Sequence, residues 1–276
     1  MQTENGRIGV FDSGYGGLTV LKEITALLPQ YDYIYLGDNA RTPYGSRSFE
    51  TVYHYTWQCV EWFFKQGCSL VIVACNTASA KALRTIQQKN LPFMAPNKRV
   101  LGVIRPSAEV IGTMSKTGHI GIMGTQGTVN SNSYLLEIQK FFPEVQVWQQ
   151  ACPMWVPLIE NNEHTQLGAD YFVAKYTQQL MAQNSAIDTV LLACTHYPLM
   201  YNKIKAALPA QVQLIMQGGI VAKSLKNYLL RHPEIAQKCS KNSSALFFTT
   251  DDSAIFEQQA SLFYGSNIQA QQIEIG

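Results

Sequence analysis

The chain has 276 residues, of which 46% are hydrophobic and 14% charged, with a formal net charge of +2. That length supports a large core in one big domain or two smaller ones. The small charge excludes the electrostatic signature of a nucleic-acid or membrane partner. No like-charge run marks a binding tail, and no apolar run approaches the length of a membrane span. The N-terminal stretch MQTENGRIGVFDSG lacks the basic and apolar regions of a signal peptide. The expected compartment is therefore the cytoplasm, where thiols stay reduced.

In chain order, Ile8–Phe11 (IGVF) reads as a strand that enters the glycine-rich turn DSGYGG, Asp12 to Gly17. A helix is predicted over 18–28, a strand over 33–36 (YIYL) and a helix over 48–66. The run LVIVA at 70–74 reads as a buried strand and is followed by a helix over 78–89. The segment 90–99, with two prolines, reads as a connection. Further strands are predicted over 100–104, 120–123, 145–149, 189–193, 212–215 and 246–249, with helical stretches between them and a last helix over 253–263. Continuous apolar strands alternating with helices define an α/β protein with mainly parallel sheets.

Two elements occur twice. The stretch IGVFDSGYGGLTV from Ile8 is echoed by IGIMGTQGTVNS from Ile120. The run LVIVACNTAS ending at Ser79 is echoed by LLACTHYP ending at Pro198, with Cys75 and Cys194 at the same place in each. Nearly equal offsets favour two similar halves, each a series of strand, turn and helix.

In open α/β sheets, ligands bind beyond the C-terminal ends of strands. Four turns sit there: Asp12–Gly17, Asp38–Gly45 (DNARTPYG), Cys75–Thr77 and Cys194–His196. The glycine-rich turn matches no nucleotide-binding pattern, and its glycines alone mean no more than a tight turn. Asp12 says more, since a carboxylate after a buried strand faces the ligand crevice. Of the six cysteines, none forms a CxxC pair, and the spacings match no zinc module. Cys59 and Cys68 read as buried hydrophobes. Cys75 and Cys194 each follow a buried strand where a helix begins, a place that raises thiolate character. A matched pair of thiols approaching one cleft from opposite sides suits inversion of a stereocentre. One group removes a proton from one face and the other delivers a proton to the opposite face. A Cys-His-Asp hydrolase needs only one thiol.

These residues resemble the glutamate racemases of the cofactor-independent aspartate/glutamate racemase superfamily. The resemblance covers nearly the whole chain: IGVFDSGYGGLTVLKEI, YLGDNARTPYG, VIVACNTASA, GTQGTVNSNSY, ACPMWVPLIE and LLACTHYPL, in this order. It implies two α/β domains related by pseudo-twofold symmetry, with the active site between them. The first would comprise 1–99 and 216–276, the second 100–215. It implies a bacterial enzyme supplying D-glutamate for peptidoglycan, without cofactor or metal, with glutamate as substrate and a homodimer as assembly. Cys75 would act on the α-proton of D-glutamate and Cys194 on that of L-glutamate. Asp12 and His196 would assist them, with Glu160 in support. Asp12-Ser13, Pro43-Tyr44-Gly45, Asn76-Thr77 and Thr195-His196 would hold the amino acid. No motif carries a lysine for pyridoxal phosphate. One departure stands out: the family often has Glu where this chain has Arg105, and a pair with Glu109 at i,i+4 is the simple expectation. A racemase for aspartate or another acidic amino acid, and a non-catalytic amino-acid-binding protein, remain the alternatives. The remaining histidines, His54, His119, His164 and His232, read as surface or core polar residues, and the aromatics at 57 and 62–64 as core or dimer contact.

Overall fold

The computed structural model describes residues 6–275. Among the described residues, ten strands form two all-parallel sheets. In chain order these are β1 (Ile8–Asp12), β2 (Tyr33–Gly37), β3 (Leu70–Val73), β4 (Arg99–Gly102), β5 (His119–Gly124), β6 (Gln146–Ala151), β7 (Thr189–Ala193), β8 (Gln213–Ile215), β9 (Ala245–Thr249) and β10 (Ala270–Gln272). One sheet has the order β10-β9-β2-β1-β3-β4, the other β6-β5-β7-β8.

The second order reproduces the 2-1-3-4 core of the first, strand for strand. Thus β5 matches β1 and β7 matches β3. Cys75 and Cys194 follow topologically equivalent strands, and the repeated sequence elements have a structural basis. In each sheet the strand order reverses beside the first strand, and that switch point is where a doubly wound sheet opens a crevice.

The apolar runs are continuous because both faces are covered. In β1 to β3, Ile8, Val10, Tyr33, Tyr35, Leu70 and Ile72 enter one core, which extends through Met123, Trp155 and Leu192 to the other sheet. Their neighbours Phe11, Ile34, Leu36, Val71 and Val73 face the opposite side, with Val60 and Phe63 of the helix Phe49–Lys65. The period-two alternation of a strand decides which residue goes where. A third cluster joins Ile120, Ile122 and Leu191 to Ile104, Ala108, Ile111 and Ile138 of the covering helices.

Three expectations need correction. The segment 90–99 holds a helical turn, Leu91–Met94, because Pro92 sits in its first turn, where no intrahelical N–H bond is lost. The strand expected over 100–104 is Arg99–Gly102, and Ile104 already opens the helix Ile104–Ile111. The boundary drawn between 99 and 100 falls inside β4, which pairs with β3, Leu70 against Arg99 through Val73 against Gly102. The short polar edge strand β10 was not foreseen, for its sequence AQQ has no apolar face. No helix among the described residues is long and apolar enough to cross a membrane.

Candidate active site

Asp12 ends β1 and is fully buried. Its Oδ1 accepts from the main-chain N–H of Gly14 at 3.0 Å, and its Oδ2 from Thr195 Oγ1 at 3.2 Å. The glycine-rich turn thus turns an N–H toward its own aspartate. Its glycines serve close approach: a Cβ on Gly16 would lie 2.2 Å from Thr195 Oγ1 and 2.4 Å from His196 Nδ1. Burial raises the Asp12 pKa, against His196 and the N–H groups of Gly14 and Gly17, which lower it.

Cys75 follows β3 and caps the helix Asn76–Lys81, its sulfur accepting from Ala78 N–H at 3.4 Å. Ser13 Oγ lies 3.4 Å from the same sulfur. Burial and the nearby Asp12 push the thiol up to about 12, against Ser13 and Ala78.

Cys194 follows β7, and its sulfur is 4.0 Å from His196 Nδ1. The other ring nitrogen, Nε2, is 3.0 Å from Glu160 Oε1. Burial disfavours the imidazolium, but Cys194 and Glu160 outweigh it and raise His196 to about 10. The imidazolium is therefore the stable form at neutral pH. It can pair with a thiolate on Cys194. The two thiols have unlike partners: a hydroxyl and a carboxylate around Cys75, an imidazolium–carboxylate pair behind Cys194.

The other expected residues divide. Thr195 joins the centre through Asp12, and its carbonyl accepts from Thr19 Oγ1 at 2.9 Å. Thr77 Oγ1 lies 2.9 Å from Thr125 Oγ1 and 3.4 Å from Thr128 Oγ1, so hydroxyls from both halves meet beside Cys75. Gly45 accepts at its carbonyl from Gly127 N–H at 2.9 Å and so also bridges the halves. Tyr44 is buried with its hydroxyl donated to Asp38, which Arg41 Nε also holds at 2.8 Å. That bond secures the loop, and Pro43 beside it is exposed. Asn76 turns its carboxamide to Gln217 and Tyr134. Thr125 and Thr128 lay outside the expected residues, although they follow β5 in the half where β5 matches β1. Gln217 carried no sequence signal. Arg105 pairs with Glu109 at 2.9 Å on an exposed face, as expected from their spacing. A cavity of about 530 Å³ lies away from the thiols, among Leu83, Gly102, Arg105 and Tyr228.

Two doubly wound halves, with a thiol on equivalent strand ends, fit the racemase class. The chain matches the profile of the Asp/Glu/hydantoin racemase family over residues 8–225 and belongs to that family. It is 38% identical over 266 residues to a glutamate racemase of Geobacter metallireducens, covering 95% of this chain and 93% of that one. It is 39% identical over 275 residues to one of Enterococcus faecalis, covering 98% and 96%. Among solved structures it resembles a glutamate racemase isoform of Bacillus anthracis, with a TM-score of 0.89, 34% identity and coverage of 99% and 98%. It also resembles the glutamate racemase of Francisella tularensis in complex with D-glutamate, with a TM-score of 0.87, 30% identity and the same coverage.

Proposed function

We propose that the protein interconverts L- and D-glutamate by two-thiol proton transfer at Cα, supplying the D-enantiomer for peptidoglycan. The observation that carries this reading is the equivalence of Cys75 and Cys194 at the ends of β3 and β7, each with its own hydrogen-bonding partner. From L-glutamate, a thiolate at Cys194 takes the Cα proton, and the electron pair passes into the substrate carboxylate. The Cys75 thiol then gives its proton to the opposite face. The D-glutamate direction reverses both roles.

The Cα proton is far less acidic than a thiol, so the developing charge needs fixed donors in a dry site. Hydroxyls of Ser13, Thr77 and Thr195 and the main-chain N–H groups after each cysteine are the available donors. Each thiol is only 6% exposed, so the site excludes water as it stands, and substrate exchange requires the two halves to separate. We place the halves at 6–102 with 216–275, and 103–215, on the strand pairing. His196, raised to about 10, keeps a positive charge beside Cys194 at neutral pH, while Cys75, raised to about 12, holds its proton. The protonated Cys75 thus stands as the acid that delivers a proton when L-glutamate is the substrate. A cytoplasmic homodimer is proposed from the family resemblance.

Incubation with L-glutamate in D2O, without added cofactor, tests this. Loss of circular dichroism toward the racemate, with deuterium at Cα by NMR, is the expected result. No exchange with glutamate but exchange with aspartate would reassign the substrate. No exchange with either would overturn the racemase reading.

A further inference from the structure

The chain crosses between the two sheets twice: at Val103, after β4, and at Gln217, after β8. The buried carboxamide of Gln217 sits where these crossings meet. Its Nε2 donates to Ser107 Oγ at 2.8 Å, lies 3.4 Å from the carbonyl of Val103, and lies 2.5 Å from Tyr134 Oη. Its Oε1 accepts from Asn76 Nδ2 at 2.7 Å. Tyr134 Oη closes the ring by donating to Asn76 Oδ1 at 2.5 Å. Asn76 is the residue directly after Cys75 and the first of the helix that Cys75 caps. One carboxamide therefore ties both crossings, and a tyrosine of the second half, to Asn76, the residue next to Cys75. Cys194 makes no hydrogen bond to this ring, although burial and the neighbouring Cys194 both raise the pKa of the Tyr134 hydroxyl. The Cys194 thiol is held by His196 and, through Thr195, by Asp12.

We propose that Gln217 is a positioning residue for the proton transfer at Cys75: through Asn76 it sets the helix start that aims this thiol, while none of its hydrogen bonds reaches Cys194. The proposal rests on the two-thiol reading above. The ring is buried and polar, so removing one member leaves the others unpartnered, and they must shift to find new partners. A shift of about 1 Å in a reacting group costs on the order of 10²-fold in rate. The effect falls on one thiol, which makes it separable from general loosening.

Enantiomers have equal free energies, so kcat/KM must fall equally for L- and D-glutamate in any variant. Isotope effects divide the two transfers. In Gln217→Met, with the volume kept and the hydrogen bonds lost, transfer at Cys75 becomes more limiting. The primary isotope effect with D-[2-2H]glutamate should then rise above that of the parent protein. With L-[2-2H]glutamate it should fall, since the labelled proton leaves through Cys194. Alkylation by iodoacetamide, read at each cysteine by peptide mass spectrometry, gives a second readout that needs no turnover. Cys75 should react several-fold faster in Gln217→Met, with Cys194 unchanged. If that variant does not fold, Tyr134→Phe, which removes one hydroxyl from the ring, decides alone by the same signs. An unchanged ratio of Cys75 to Cys194 alkylation, or isotope effects that move together, overturns the proposal. A shifted alkylation ratio in a protein that does not racemise glutamate would leave the positioning role standing and overturn only the assigned reaction.

Discussion

His196 Nε2 and Glu160 Oε1 are 3.0 Å apart, and the other nitrogen of the same ring faces the sulfur of Cys194. Glu160 ends the helix Trp155–Glu160 and His196 follows β7, so the pair links a covering helix to the strand that delivers a thiol. A carboxylate behind an imidazole fixes ring orientation and favours its protonated form.

Glu160→Gln keeps the shape and removes the charge. The His196 pKa should drop toward its ordinary value, and the pH range in which the ring is positive should narrow from its alkaline side. The pH–rate profile should lose its alkaline limb at lower pH than in the parent protein. We expect kcat to fall by about 10- to 100-fold, less than the roughly 10²- to 10⁴-fold that a whole acid–base group contributes. An unmoved profile would remove Glu160 from the catalytic group.

Cys75→Ser and Cys194→Ser should each abolish most racemisation, by roughly 10²- to 10⁴-fold or more, while glutamate binding by calorimetry survives. Each variant retains one competent thiol, so exchange of the Cα proton with D2O should persist selectively. Cys194→Ser should favour exchange from D-glutamate and Cys75→Ser from L-glutamate. The reverse preference would swap the assignment of the thiols.

Gly16→Ala should cost about 1–3 kcal/mol of stability, the range for an overpacked interior site. A Cβ there meets Thr195 Oγ1 at 2.2 Å and His196 Nδ1 at 2.4 Å, and both belong to the centre. Activity should fall further than stability alone explains. Chemical denaturation and kcat/KM on the same preparation test this.

Stability should also depend on pH through His196. Its folded pKa, about 10, lies above the ordinary 6.5, so the folded state binds this proton more tightly than the unfolded chain. The contribution is fully present below about 6.5 and is lost as pH rises toward 10. The melting temperature should therefore decline over that window, and His196→Asn should flatten the decline. Equal slopes in both proteins would show that His196 does not set it.

Arg105 shows what local spacing alone could tell. Four positions separate it from Glu109, and the structure pairs them on an exposed helical face as that spacing expects. The catalytic strands were legible for a related reason. A strand buried on both faces must be apolar at every position, so IGVF, LVIVA and TVLLA stand out against the polar turns that follow them. The thiols and Asp12 were legible because each comes directly after such a run. The helix turn at Leu91–Met94 was hidden by Pro92, and β10 by its polar edge.

By itself the sequence determined that two similar α/β halves each place a thiol at the end of a buried strand, since apolar periodicity and turn chemistry are local properties. Only the tertiary structure decided what surrounds each sulfur. Ser13 reaches Cys75 from another strand end, and Thr195 reaches Asp12 from the other half of the molecule. Gln217 reaches Asn76 across the crossing between the sheets. These contacts join residues far apart in the chain, and no local propensity encodes them. They exist because burial forces each polar group to find a partner wherever the packing of the two sheets brings one within reach.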